Sequence, residues 1–170
     1  MLKKTCRRCG LADETLMHIL QTCPITHGTR CRRHNNVVKK VVGKLVQKGF
    51  NVHTEQGIPT PGQQTNISRP DIIATKKDYA LVLDIICVFE STITSLKDAY
   101  RRKVDRYKIL HDSIVSRYIV QKVDFHGLCV GSRGAFDSAQ LTIWHNLGFS
   151  KSDLFLLALG TMEDSSKIPS

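Results

Sequence analysis

Long apolar stretches are missing from this chain of 170 residues. None reaches the ~20 residues that cross a bilayer, so no segment reads as a transmembrane helix. The N-terminus lacks the apolar core of a secretory signal. Met1-Leu-Lys-Lys runs straight on to Cys6, and no separate leader is expected. Internal repeats are missing too, which sets aside solenoids and propellers. Acid is scarce where base is plentiful. Lys and Arg number 25 against 15 Asp and Glu, a net charge of +10. The first 50 residues hold eleven of those cations and only Asp13 and Glu14 as acids, while residues 51–170 are nearly balanced. A cationic excess gathered into one third of a chain reads as a phosphate-binding footprint rather than as general solubility. The chain is expected inside the cell, with its six cysteines reduced or metal-bound. Its length suits one domain plus a small appendage, with a core that needs no disulfides.

Four of the six cysteines fall in the first 31 residues. Cys87 and Cys129 sit in apolar contexts and read as core. The spacing Cys6-x2-Cys9-x8-His18-x4-Cys23 offers three thiolates and an imidazole, a closed tetrahedral set for Zn2+. Gly10 supplies the turn after the first pair, and a short helical pattern from Glu14 would present His18. Cys31, His27 and His34 are alternative ligands. Arg30, Arg32, Arg33 and His34 follow the knuckle and are expected to contact a nucleic-acid backbone, as is Arg69.

The chemistry concentrates between Arg69 and Tyr107. Tyr79 to Phe89 is apolar except for Asp84 and reads as a strand buried on both faces. A buried carboxylate needs a partner, because an uncompensated charge is expensive there. Asp71 opens a second strand pattern. If Lys77-Asp78 is a two-residue hairpin loop, Lys76 faces Tyr79 and Asp71 falls opposite Asp84. Opposed residues share a face with Cβ atoms about 4.5–5.5 Å apart. Two carboxylates that close call for a cation, and Mg2+ or Mn2+ suits them. From Leu96 onward, a helical step places Ala99, Tyr100, Lys103, Tyr107, Leu110 and Ile114 on one face. Lys103 is therefore a cation in the middle of an apolar stripe. Snorkelling would account for it alone, but two aspartates on the strands below favour a catalytic role.

Pro70-Asp71, twelve residues, Asp84 and then a lysine resembles the restriction-enzyme-like nucleases of the PD-(D/E)xK superfamily. Arg-Pro-Asp-Ile-Ile-Ala at 69–74 and Ala-Tyr-x-x-Lys-x-x-x-Tyr at 99–107 are similar to the C-terminal endonuclease of site-specific non-LTR retrotransposons that insert into ribosomal DNA. The knuckle resembles the one that precedes the endonuclease in those elements. The resemblance implies Asp71 and Asp84 as Mg2+ ligands and Lys103 as the catalytic lysine. Tyr107 matches a motif tyrosine, and Glu55 and Glu90 are accessory candidates for the metal shell. It further implies a domain that nicks target DNA to prime reverse transcription, here a fragment without the reverse transcriptase. The partners would be target DNA and element RNA, and the location the nucleus. The alternative is an inactive nucleic-acid-binding remnant, and a third reading is a zinc-dependent interaction module without a nucleic acid.

The expected fold is α/β, a restriction-endonuclease-like core ordered helix, three strands, helix, strand, helices. The expected divisions are a knuckle and basic segment over 1–34, the endonuclease domain over 35–162, and a disordered tail over 163–170. Asn35 or Asn36 would cap a helix from Val37 that buries Val37, Val41 and Leu45 and stops at Gly49. Residues 50–55 alternate as a strand, and Gly57 to Ser68 reads as a mobile loop. Tyr118–Val123 and Phe125–Val130 are strand-like, Ala139–Leu147 is a short helix carrying Trp144, and a last helix begins near Ser150.

Overall fold

Two residues, Lys77 and Asp78, reverse the chain between the strands β4 (Ile72–Lys76) and β5 (Tyr79–Val88). Lys77 takes a left-handed φ of 54° in that turn, and Lys76 pairs with Tyr79 as the hairpin count requires. The structure, a computed structural model, describes residues 4 to 167. A long helix α1 (His27–Gln47) precedes β1 (Asn51–Thr54) and a second hairpin, β2 (Ile58–Thr60) with β3 (Gln63–Ser68). After β5 come the helices α2 (Ser95–Lys108) and α3 (His111–Tyr118), then β6 (Lys122–Gly131). The helices α4 (Leu141–Asn146) and α5 (Lys151–Ser166) follow. The main sheet runs β1-β4-β5-β6. It is antiparallel up to β5, and β5 pairs with β6 in parallel across the α2–α3 crossover.

Alternation along β5 divides the core into two. Leu81, Leu83 and Ile85 face α1, α4 and α5, where Val37, Val41, Leu45, Trp144 and Leu157 are buried. Ala80 and Val82 face the other way, toward Tyr107, Leu110 and Ile114. Asp84 continues that second series by the two-residue period of a strand. The result is a sheet with helices on both faces, the α/β architecture expected. Among the described residues no helix is long and apolar enough to cross a membrane.

Four local expectations are corrected. Residues 57–68 form the β2–β3 hairpin rather than a loop. Pro61-Gly62 makes its turn, with Gly62 at φ 74°. Ile58, 1 % exposed, plugs the second cluster, and Arg117 donates to Gly57 O at 2.7 Å. Tyr118 ends a helix instead of starting a strand. Ile119 stops that helix in the left-handed region, and β6 is one strand. Burial of Ile114 and Val120 in one cluster overrides the local β preference there. Helix α1 starts at His27, fed by a 3-10 turn that Pro24 opens, so it spans the expected boundary at residue 34. Finally, α5 runs through residues 163–166 of the expected tail, because Asp164 and Ser165 are buried against α1 and the turn after β6. Residues 168–170 lie outside the described ones.

Candidate functional site

The knot at the N-terminus is built from a tight reversal. Cys6 N donates to Ala12 O at 2.8 Å, Gly10 N to Cys6 O at 2.9 Å, and Gly10 sits at φ 66°. A short π-helical turn (His18–Thr22) carries the histidine inward, where Cys9 Sγ meets His18 Nε2 at 3.3 Å. The ligand atoms of Cys6, Cys9, His18 and Cys23 all lie within 4.8 Å of one another. This Cys3His cluster could hold Zn2+. Hydrogen bonds from the Cys9 and Arg8 amides hold the Cys6 thiol down to about 6, which favours the thiolate a metal needs. The other ring nitrogen, His18 Nδ1, lies 3.1 Å from Thr22 Oγ1, a contact that orients the imidazole. The alternative ligands are elsewhere. Cys31 Sγ and His27 Nε2 face each other at 3.5 Å on the exposed side of α1.

The acidic centre is built where the β4–β5 hairpin meets α2. Ile85 N donates to Asp71 Oδ2 at 2.6 Å, which brings the Asp71 carboxylate to the amide next to Asp84. Lys103 Nζ, from α2, stands 2.6 Å from Asp84 Oδ2. That oxygen is buried, and the short ion pair to Lys103 is its contact with α2. Burial, and after it the charge of Asp71, pushes the Asp84 carboxyl above its ordinary range, against the pull of Lys103. Tyr107 is buried beside them and donates its hydroxyl to Arg69 O at 3.3 Å, bracing the turn that carries Asp71. Burial and the nearby Asp84 charge raise the Tyr107 hydroxyl.

Sequence reasoning missed what lets α2 come so close. Gly127 pairs with Asp84 across the parallel β5–β6 ladder. A Cβ there would stand 3.1 Å from Lys103 Cβ and 3.2 Å from Tyr100 O. The missing side chain is the gap over which Lys103 reaches the strand. An isolated glycine inside a strand pattern was the available signal.

The remaining candidates separate. Glu55, at φ 52°, donates its amide to Asp71 O and lines a small cavity of about 290 Å³ with His34 and Asp71. Glu90 is drawn away. It accepts from Ser132 Oγ at 3.2 Å and Arg133 N at 3.1 Å in the turn after β6. Arg32 and Arg69 are exposed. Arg30 donates to Gln21 O and Cys23 O, bracing the knot. Arg33 is 1 % exposed and spends its guanidinium on Ser165 Oγ and Leu20 O, so it cannot reach a duplex. The side chain of His34 turns to the acidic centre, with Nε2 3.1 Å from Asp71 Oδ2. That contact pushes the imidazole up to about 9.

No family model matches the chain. Curated relatives do. The Pol polyprotein of the type-2 retrotransposable element R2DM of Drosophila melanogaster is 28 % identical over 96 % of this chain. An R2 Pol polyprotein of Popillia japonica is 28 % identical over 91 % of it. The chain is similar to R2 retrotransposon Pol polyproteins over most of its length. A shorter match, 36 % identity over 58 % of this chain, is to the R2 polyprotein of Nasonia vitripennis. The chain spans 15 % and 32 % of the first two relatives, so it matches one region of a much longer protein. These similarities are to one region of those retrotransposon polyproteins.

Proposed function

We propose that this chain is a metal-dependent DNA endonuclease region of a retrotransposon Pol polyprotein, nicking target DNA to prime reverse transcription. The observation that carries the reading is the convergence of Asp71, Asp84 and Lys103 from the β4–β5 hairpin and α2. A structural ion pair would account for Asp84 and Lys103 alone. It would not call for a second carboxylate beside them, since that charge opposes ionisation of the first.

The donor set fits Mg2+ or Mn2+: two carboxylates that the β4–β5 hairpin brings together, the charge of one opposing ionisation of the other. Asp71 and Asp84 would hold the ion, which when bound supplies Lewis acidity toward a phosphate and a more acidic water. Lys103 Nζ, 2.6 Å from Asp84 Oδ2, can orient a water or neutralise charge developing on phosphorus-bound oxygens. Tyr107 fixes the Arg69–Asp71 turn through the Arg69 carbonyl. Arg32 and Arg69, exposed, serve as phosphate contacts, and Glu55 is close enough to join the acids. Zn2+ in the Cys3His knot would fix the segment that leads into α1. An element of this kind would act in the nucleus.

Supercoiled plasmid is the test substrate, with Mg2+ or Mn2+, an EDTA control, and Asp71→Ala and Lys103→Ala beside the parent. The expected result is metal-dependent nicking that both variants lack, with DNA binding retained. Equal nicking by Asp71→Ala would remove the reading. Salt-dependent DNA binding without nicking by any of the proteins would assign the chain as a binding module instead.

A further inference from the structure

Asp71 precedes β4 and is only partly buried, yet the proposed site depends on where its carboxylate points. Two contacts hold it, and both fall on Oδ2. One is the Ile85 amide at 2.6 Å, and the other is His34 Nε2 at 3.1 Å, from a residue 37 positions earlier. The imidazole is itself bracketed, because His34 Nδ1 lies 3.2 Å from Asn35 Oδ1. With Oδ2 engaged from two sides, Oδ1 is the oxygen set to meet a cation.

His34 is carried rigidly. It sits one residue after the buried Arg33, in the third turn of α1. The preceding turns are clamped to the Cys3His knot. Arg30 reaches Gln21 O and Cys23 O, and Arg33 reaches Leu20 O at 3.2 Å. A helix transmits displacement at one end along its length, because its backbone is internally hydrogen-bonded.

We infer that His34 is a positioning residue for Asp71, and that through α1 it ties the geometry of the acidic pair to the Cys3His knot. This rests on the reading of Asp71 and Asp84 as cation ligands. A histidine in this place does not touch DNA. It selects which carboxylate oxygen is presented, as hydrogen-bond partners of metal ligands do elsewhere, where their loss costs about 10- to 100-fold in metal affinity.

The test uses the full chain loaded with zinc, and Mn2+ as the probe, followed by the electron paramagnetic resonance of the free ion. Asp71→Ala, His34→Ala and His34→Gln are compared with the parent. DNA affinity at several salt concentrations and zinc per chain are measured on the same samples. His34→Ala is expected to weaken Mn2+ binding by about 10-fold while DNA affinity and its salt slope stay put. His34→Gln, which keeps a donor, is expected to recover most of the loss. Chelating the zinc from the parent is expected to weaken Mn2+ binding in the same direction. Should His34→Ala lose zinc, His34→Gln decides: near-parental Mn2+ affinity supports the role, and affinity as low as that of Asp71→Ala overturns it. Parental Mn2+ affinity in a zinc-loaded His34→Ala protein also overturns it, as does a salt slope reduced by about one, the mark of a lost phosphate contact. If the parent binds Mn2+ no better than Asp71→Ala, the cation reading itself fails, and the role of His34 falls with it.

Discussion

Arg33→Ala separates a structural arginine from a nucleic-acid contact, and its magnitude can be worked out. The side chain is 1 % exposed. Its Nη1 donates to Ser165 Oγ at 2.8 Å and its Nη2 to Leu20 O at 3.2 Å, joining α5 and the knot to α1. Ser165 Oγ in turn donates to Ser132 O at 2.7 Å, so truncation disturbs a chain of bonds rather than one. Hydrogen bonds from a charged donor contribute about 1.5–3 kcal/mol each. Against them stands the desolvation of a buried guanidinium, of which Nε has no partner among the described residues. The net expected loss is about 3 kcal/mol. With an m-value near 2 kcal/mol/M, that lowers the urea midpoint by about 1.5 M. Trp144, the only tryptophan and 0 % exposed in the first core cluster, reports the transition by fluorescence. Arg33→Met keeps the stem and removes the buried charge, so it should recover about half of the loss. DNA affinity of the folded variants should match the parent. A midpoint moved by less than about 0.3 M, together with weakened and less salt-sensitive DNA binding, would refute the structural assignment.

Gly127→Val inserts atoms where α2 passes 3.1 Å from a Cβ position, and should cost about 1–3 kcal/mol by urea titration while abolishing nicking that depends on Lys103. Ile58→Ala empties the plug of the β2–β3 hairpin; a loss of about 2–4 kcal/mol is expected, with faster proteolysis between residues 57 and 68. Asp153 is held down to about 2 by Lys44 and the Ser150 cap. A folded carboxyl below its unfolded value of about 4 stabilises the protein above pH 4 and loses that contribution as pH falls through 2. Asp153→Asn should flatten the acid limb of the stability curve between those values. Cys23→Ser should drop zinc from one per chain to well below it by atomic absorption, and leave the α1–α5 core able to unfold cooperatively.

The knot, the β4–β5 register and the Lys103 stripe were legible because each is local. Ligand spacing over eighteen residues, a two-residue turn and a helical period all act within one or two elements. The expected register holds along the ladder, from Lys76 opposite Tyr79 to Ile72 opposite Leu83, the pair next to Asp71 and Asp84. The β2–β3 hairpin was missed because a single buried apolar residue, Ile58, anchors it, and its strands are too short for a pattern to show. Glu90 was misplaced for a similar reason, since a carboxylate near a site takes whichever donor the fold brings first, here the Ser132–Arg133 turn.

What the sequence determined by itself is the set of groups: a Cys3His cluster, two acids on a hairpin, a lysine on the buried side of a helix, and a cationic first third. What only the tertiary structure decided is how those groups are allotted. Arg33 goes inside and His34 turns to Asp71, although they are neighbours in a basic run, because their partners lie 132 and 37 residues away. Gly127, 43 positions after Asp84 in the chain and beside it in the sheet, lets Lys103 close on that carboxylate. Periodicity encodes which face a side chain takes on its own element. Which oxygen it meets is set by the packing of elements distant in the chain, and that information exists only once the sheet has been assembled.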